Sequence, residues 1–109
     1  MSERREHERH EVWFPVEVEV EDGTAIAVSY DISSGGLLMA AGGRVEVGTE
    51  LNVTFRLQRE GPESKVKGRV VRVERNPQSV DNRWRYKLAL VFDEPQPDIE
   101  RLVKSLQSE

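Results

Sequence analysis

Arg5 and Arg9 stand four residues apart near the start of the chain, with Arg4 beside them, in the run ERREHERHEV from Glu3 to Val12. Guanidinium groups so spaced can reach one ligand if the segment folds back. Their planar forks suit phosphate oxygens bidentately and stack on or pair with a guanine, roles a lysine fills poorly. A second group of useful residues follows in YDISSGGLLMA, where Asp31, Ser33 and Gly36 make a D-x-S-x-x-G pattern. A carboxylate there can accept the donors of a guanine edge or orient an arginine, and a hydroxyl can meet an anion. Gly35 and Gly36 permit a backbone turn and the close approach of a ligand. Each group also has a plain structural explanation, because charged leaders often contain paired arginines and strand-ending turns are built from Asp, Ser and Gly.

Other chemistry is thinly provided for. The two histidines, His7 and His10, lie beside Glu6 and Glu8, but without cysteine or a further histidine they are a weak zinc set. No nucleophile-elbow pattern accompanies the serine-rich turns, and no nucleophile and base are placed to act together. The expectation is a binding protein with no enzymatic activity, no metal and no cofactor.

Composition narrows the partners. The formal charge is −4, with a third of all residues charged and few aromatics, which opposes wholesale binding to DNA, RNA or an anionic membrane. From Met1 to Glu11, three arginines face four glutamates, so the segment is no basic arm and its function must lie in placement. An oligonucleotide-binding surface using Trp13, Trp84, Arg83, Arg85 and Lys87 would need exposed aromatics on a basic face. By alternation Trp84 falls with the core residues, whereas Trp13 falls outward. The absence of cysteine fits a reducing compartment, and no apolar run is long enough to span a membrane or act as a signal. A cytoplasmic protein is expected, without membrane insertion.

The elements that must position these residues follow from periodicity. Val12, Phe14, Val16, Val18 and Val20 alternate with Glu11, Trp13, Pro15, Glu17 and Glu19, a half-buried strand in which Pro15 marks an edge or a bulge. Asp22-Gly23 supplies the positive-φ pair of a tight hairpin, after which Thr24, Ile26, Val28, Tyr30 and Ile32 resume the alternation. On that phase Asp31 shares the outward parity of Ala25, Ala27 and Ser29. A brief strand is expected at Leu37–Ala40, and a cleaner one where Leu51, Val53, Phe55 and Leu57 alternate with polar residues. From Val66 to Val73 the phase slips, which predicts a bulge near Val70. Trp84, Tyr86, Leu88, Leu90 and Phe92 share one face of the last strand. Ile99, Leu102, Val103 and Leu106 then fall at helical spacing, with Pro97 and Asp98 in the first turn of a helix over about 97–107. Six short strands leave open edges unless they curl, so the chain reads as all-β with one helix: a six-stranded antiparallel barrel capped by a C-terminal α-helix. Its 109 residues make a single domain, with an N-terminal arm at 1–11 and the barrel and helix at 12–109.

An R-x-x-x-R before the first strand of a small barrel, followed by D-x-S-x-x-G at the end of the second, resembles the PilZ domain, the bacterial receptor module for cyclic di-GMP. Leu37-Leu38-Met39 and Val47-Gly48-Thr49-Glu50-Leu51 are also in that family's style, and the resemblance covers nearly the whole chain. It implies that Arg5 and Arg9 hold the phosphates and guanine faces of the ligand, that Asp31 and Ser33 meet a guanine edge and a phosphate, and that Gly36 leaves room for the ring. Arg4 occupies a position where an arginine accompanies a stacked ligand pair. It further implies a receptor that signals through an unidentified protein effector; a monomer or weak homodimer is expected, and the arm, balanced in charge and without an apolar stripe, is expected to be mobile until nucleotide orders it. A barrel of the same family that docks proteins without useful nucleotide affinity is the alternative, for which Glu6 and Glu8 within the arginine motif give a physical reason.

Overall fold

Alternation makes a strand when one face has a core to enter, and the first strand shows this directly. In the computed structural model, which describes residues 11–20, 22–57, 61–77 and 83–107, β1 (Pro15–Val20) buries Val16 and Val18 and turns Glu17 and Glu19 to water. The remaining strands are β2 (Gly23–Ile32), β3 (Gly36–Ala41), β4 (Glu50–Phe55), β5 (Ser64–Arg75) and β6 (Tyr86–Phe92), followed by α1 (Pro97–Gln107). They close into an antiparallel barrel in the order β1-β2-β3-β6-β5-β4, with the seam at Glu17↔Thr54 and Val18↔Val53 between β1 and β4. Closure removes the unpaired edges that six short strands would otherwise expose. Pro15 occupies a local edge position, with no bulge in its pairing to β2. It is the first residue of β1, beyond the two pairs that join β1 to β4, where its missing N–H interrupts no closing bond.

The interior is filled from every strand. Leu37 and Met39 of β3 pair with Leu90 and Leu88 of β6, and all four are buried. Phe14 meets Phe55 with ring centroids 5.2 Å apart. Ile99 and Val103 of α1 join the same core, and Pro97 and Asp98 occupy the helix's first turn, where a fixed φ and a negative charge are both favoured. Burying one such aliphatic or aromatic side chain contributes roughly 1.5–3 kcal/mol.

Three local expectations are corrected. Val20 pairs with Gly23, so the first hairpin turns one residue earlier than Asp22-Gly23; Gly23 has φ 146°, whereas Asp22 has no positive φ. In β2 the core face is Ala27, Ser29 and Ile32, while Ile26 is half-exposed and Val28 and Tyr30 lie partly open. The larger side chains are thus not the buried ones, because the register with β1 sets Ala27 opposite the buried Val16 and so puts it on the core face. Trp84 precedes β6 in a turn instead of sharing its core face, and Tyr86 is only partly buried. The expected slip in β5 is present as a register shift between Val70 and Arg72.

Candidate functional site

The D-x-S-x-x-G residues form the β2–β3 turn. Ile32 pairs with Leu37, the Ser33 N–H donates to the Gly36 carbonyl at 2.9 Å, and Ser34-Gly35 make the loop. The Ser33 hydroxyl accepts the N–H groups of Gly35 and Gly36 at 3.1 and 3.2 Å, so its first task is to hold the turn. It is buried instead of standing open on the surface. A hydroxyl that accepts two N–H groups still has one proton to donate, which is what a phosphate or base acceptor needs.

Two longer contacts fix the turn to the end of the chain. The Phe92 N–H donates to the Gly35 carbonyl at 2.9 Å and the Gln96 N–H to the Ser34 carbonyl at 2.7 Å, which ties the loop to the end of β6 and the entry to α1. Gly36 is required by packing. A Cβ built there would sit 2.5 Å from the Leu90 carbonyl oxygen, so β3 and β6 can approach this closely only because the residue has no side chain.

Asp31 does face away from the core, although for a different reason from simple alternation. Ser29 pairs with Met39 and Asp31 with Leu38, leaving Tyr30 as an extra residue. Ser29 and Ile32 both point inward, and between them Tyr30 and Asp31 are consecutive and partly exposed. The bulge therefore brings an aromatic ring and a carboxylate to the same side of the sheet, where regular alternation would have separated them.

The same strand anchors the chain arriving from the N-terminus. Ser29, fully buried, accepts the Phe14 N–H through its Oγ at 3.0 Å and donates its hydroxyl proton to the Val12 carbonyl, while the Ser29 N–H donates to the Phe14 carbonyl at 2.9 Å. This holds Trp13 against Tyr30, edge to face, with centroids 5.1 Å apart and planes at 84°. Lys87 Nζ lies 4.8 Å from the Tyr30 centroid, and Asn76 Nδ2 donates to the Tyr30 hydroxyl at 3.2 Å and to the Trp84 carbonyl at 2.8 Å. The outer surface beside Asp31 is thus a fixed aromatic and cationic shelf.

Ser33 lies in the β2–β3 turn, with Asp31 near the end of β2 and Gly36 opening β3, whereas Arg4, Arg5 and Arg9 lie outside the described residues, as do His7 and His10. Two concavities lie elsewhere, one of about 530 Å³ bounded by Glu17, Asn52, Glu63 and Lys67, and one of about 700 Å³ by Val20, Arg44 and Leu51; neither includes the turn. On β4, Glu50 is paired with Arg69 at 3.3 Å and Lys67 at 3.4 Å. Hydrogen bonds from Arg69 and then Lys67 hold its carboxyl below the usual carboxylate range. Among the described residues no group of three or more His, Cys, Asp or Glu could hold a metal ion, and no helix is long and apolar enough to cross a membrane.

Alternation alone did not reveal Ser29 or the Trp13–Tyr30–Lys87 shelf. The available signal was the run of small residues Ala25, Ala27 and Ser29 in phase with one another, which reads as a solvent face until the register that sets Ala27 opposite the buried Val16 is known.

Comparison with known proteins places this geometry. A model of the PilZ domain matches residues 3–107. No curated protein matches the chain by sequence. Among solved structures, the Bacillus subtilis inhibitor of motility MotI/DgrA is 24% identical with a TM-score of 0.76, covering 95% of this chain and 49% of its own. The PilZ domain of Escherichia coli YcgR with c-di-GMP is 16% identical with a TM-score of 0.70, covering 95% of this chain and 88% of its own. The MrkH–c-di-GMP complex of K. pneumonia is 19% identical with a TM-score of 0.70, covering 97% of this chain and 52% of its own. The chain spans about half the length of the first and third of these. At such identities the likeness to solved structures speaks for the fold, and the match over residues 3–107 speaks for kinship: the chain belongs to the PilZ domain family.

Proposed function

We propose that the protein is a cyclic di-GMP receptor in which residues 1–11 act as an arm that closes over nucleotide held against the β2–β3 turn. The observation that carries this reading is the anchoring of residues 12–14 on Ser29, beside the bulge that turns Asp31 outward. Arg9 stands three residues before Val12, and three residues span at most about 10 Å. On this reading Arg9 brings its guanidinium to the nucleotide that Asp31 and Ser33 hold. Family membership and the c-di-GMP bound to the YcgR domain and to MrkH support the choice of ligand.

Each residue then has a task set by its chemistry. Arg5 and Arg9 hold phosphates and guanine faces through charge-assisted hydrogen bonds, each contributing roughly 1.5–3 kcal/mol. Asp31 accepts the donors of a guanine edge, Ser33 donates its remaining proton, and Gly36 keeps the turn tight enough for close approach. Arg4 serves a stacked ligand pair. Ordering of the arm changes the surface offered to a protein effector, which makes ligand binding the signal.

A second reading, a docking module with little nucleotide affinity, is favoured by Glu6 and Glu8, whose charges oppose an anion at the arginine motif. Thermal melts in cyclic di-GMP, with GTP and cyclic AMP as controls, separate the two. Receptor function predicts a melting temperature that climbs with the logarithm of cyclic di-GMP concentration, gaining about 2.7 kcal/mol of stability at a hundred times Kd. No shift at high micromolar cyclic di-GMP contradicts the receptor and favours the docking module.

A further inference from the structure

Trp13 is the most exposed large apolar side chain described, at 66%, and the other exposed ones are aliphatic. A tryptophan left this open yields little hydrophobic stabilisation, and its position is nevertheless well determined. Ser29 bonds the residues on either side of it, through the Val12 carbonyl and the Phe14 N–H. Its ring packs against Tyr30, which is itself held by Lys87 on the ring face and by Asn76 at the hydroxyl. The result is a preorganised flat π-surface facing solvent. Asp31 is the residue after Tyr30, about 3.3 Å further along the strand, and the bulge puts both on the outer side of the sheet.

We infer that Trp13 is a stacking wall for one guanine of the bound nucleotide, so that indole and Asp31 read a single base by its face and its edge. This rests on the cyclic di-GMP reading above and adds a ligand contact outside both sequence motifs. A purine offers a flat ring to the indole and N–H donors at its edge to the carboxylate beside it. Lys87 adds positive charge on the same face, favourable to the attached phosphates.

Titration calorimetry with cyclic di-GMP on the full chain and on Trp13→Ala, Trp13→Leu and Trp13→Phe tests this. Loss of a base-stacking aromatic weakens binding by about five- to a hundredfold. Trp13→Ala and Trp13→Leu are expected to lose that much and Trp13→Phe clearly less, with ligand-free melting temperatures nearly unchanged because the side chain is exposed. The parent protein's tryptophan emission should change on adding cyclic di-GMP, and that change should largely disappear in Trp13→Phe. If all four proteins bind equally, or if Trp13→Leu matches the parent, the stacking wall is overturned while the receptor stands. If the parent itself fails to bind, both are overturned.

Discussion

Ser29→Ala tests the link between the barrel and the incoming chain. Ser29 is fully buried, and its Oγ both accepts the Phe14 N–H at 3.0 Å and donates to the Val12 carbonyl. Alanine fits the space, so no clash or large cavity confuses the result. What changes is that a buried N–H loses its acceptor and a partly buried carbonyl loses its donor. Leaving a buried polar group unsatisfied costs about 1–3 kcal/mol. For a domain of this size each kcal/mol corresponds to roughly 4–8 °C, so calorimetric melting of the ligand-free variant should fall by roughly 4–24 °C. Amide exchange should localise the effect, with the Phe14 N–H exchanging faster than its neighbours further into β1. A melting temperature within about 2 °C of the parent, set against that scale, with Phe14 protection unchanged, would refute the claim that Ser29 holds this segment.

Two further substitutions examine other parts of the account. Gly36→Ala places a methyl 2.5 Å from the Leu90 carbonyl oxygen and should cost about 1–3 kcal/mol as β3 and β6 are forced apart; an unaltered melt would contradict the packing role assigned to Gly36. For Glu50, hydrogen bonds from Arg69 and Lys67 lower the carboxyl pKa in the folded chain. Its stabilising contribution is therefore present above the unfolded pKa and is lost as pH falls through the folded one. Carboxylate NMR titration should give Glu50 a midpoint below that of an ordinary exposed glutamate, returning towards the ordinary value in Arg69→Ala, and an ordinary midpoint in the parent would contradict the pairing.

Much of the architecture was legible because strands with one buried face write their period into the sequence. Val16 and Val18, the β4 residues Leu51, Val53 and Phe55, and the helix at Pro97–Gln107 all sit as their spacing predicts. The phase slip at Val70 signalled a bulge for the same reason. Reading failed where the face a strand buries is set by its register with a neighbour. In β2 the interior takes Ala27 and Ser29 and leaves Val28 and Tyr30 partly open, because Ala27 pairs with the buried Val16 of β1.

The candidate site was partly legible in the same sense. Asp31, Ser33 and Gly36 were visible as a pattern, and they fall on and beside the β2–β3 turn. Their tasks were less visible. The Ser33 hydroxyl caps its own loop, and Gly36 answers to Leu90. No local rule indicates that a bulge would set Tyr30 beside Asp31, because the bulge arises from pairing with β3. Trp13 read as outward, but its fixed orientation depends on Ser29 and Tyr30, which become its neighbours only when β1 and β2 pair.

Isothermal titration of cyclic di-GMP into the parent, Arg5→Ala and Arg9→Ala, with ligand-free melting temperatures recorded alongside, tests the central claim most directly. The account predicts saturable binding to the parent and a loss on the order of tenfold or more in each variant, at the scale of one charge-assisted contact, with melting temperatures nearly unchanged. Equal affinity in all three, or no binding to the parent, would contradict it.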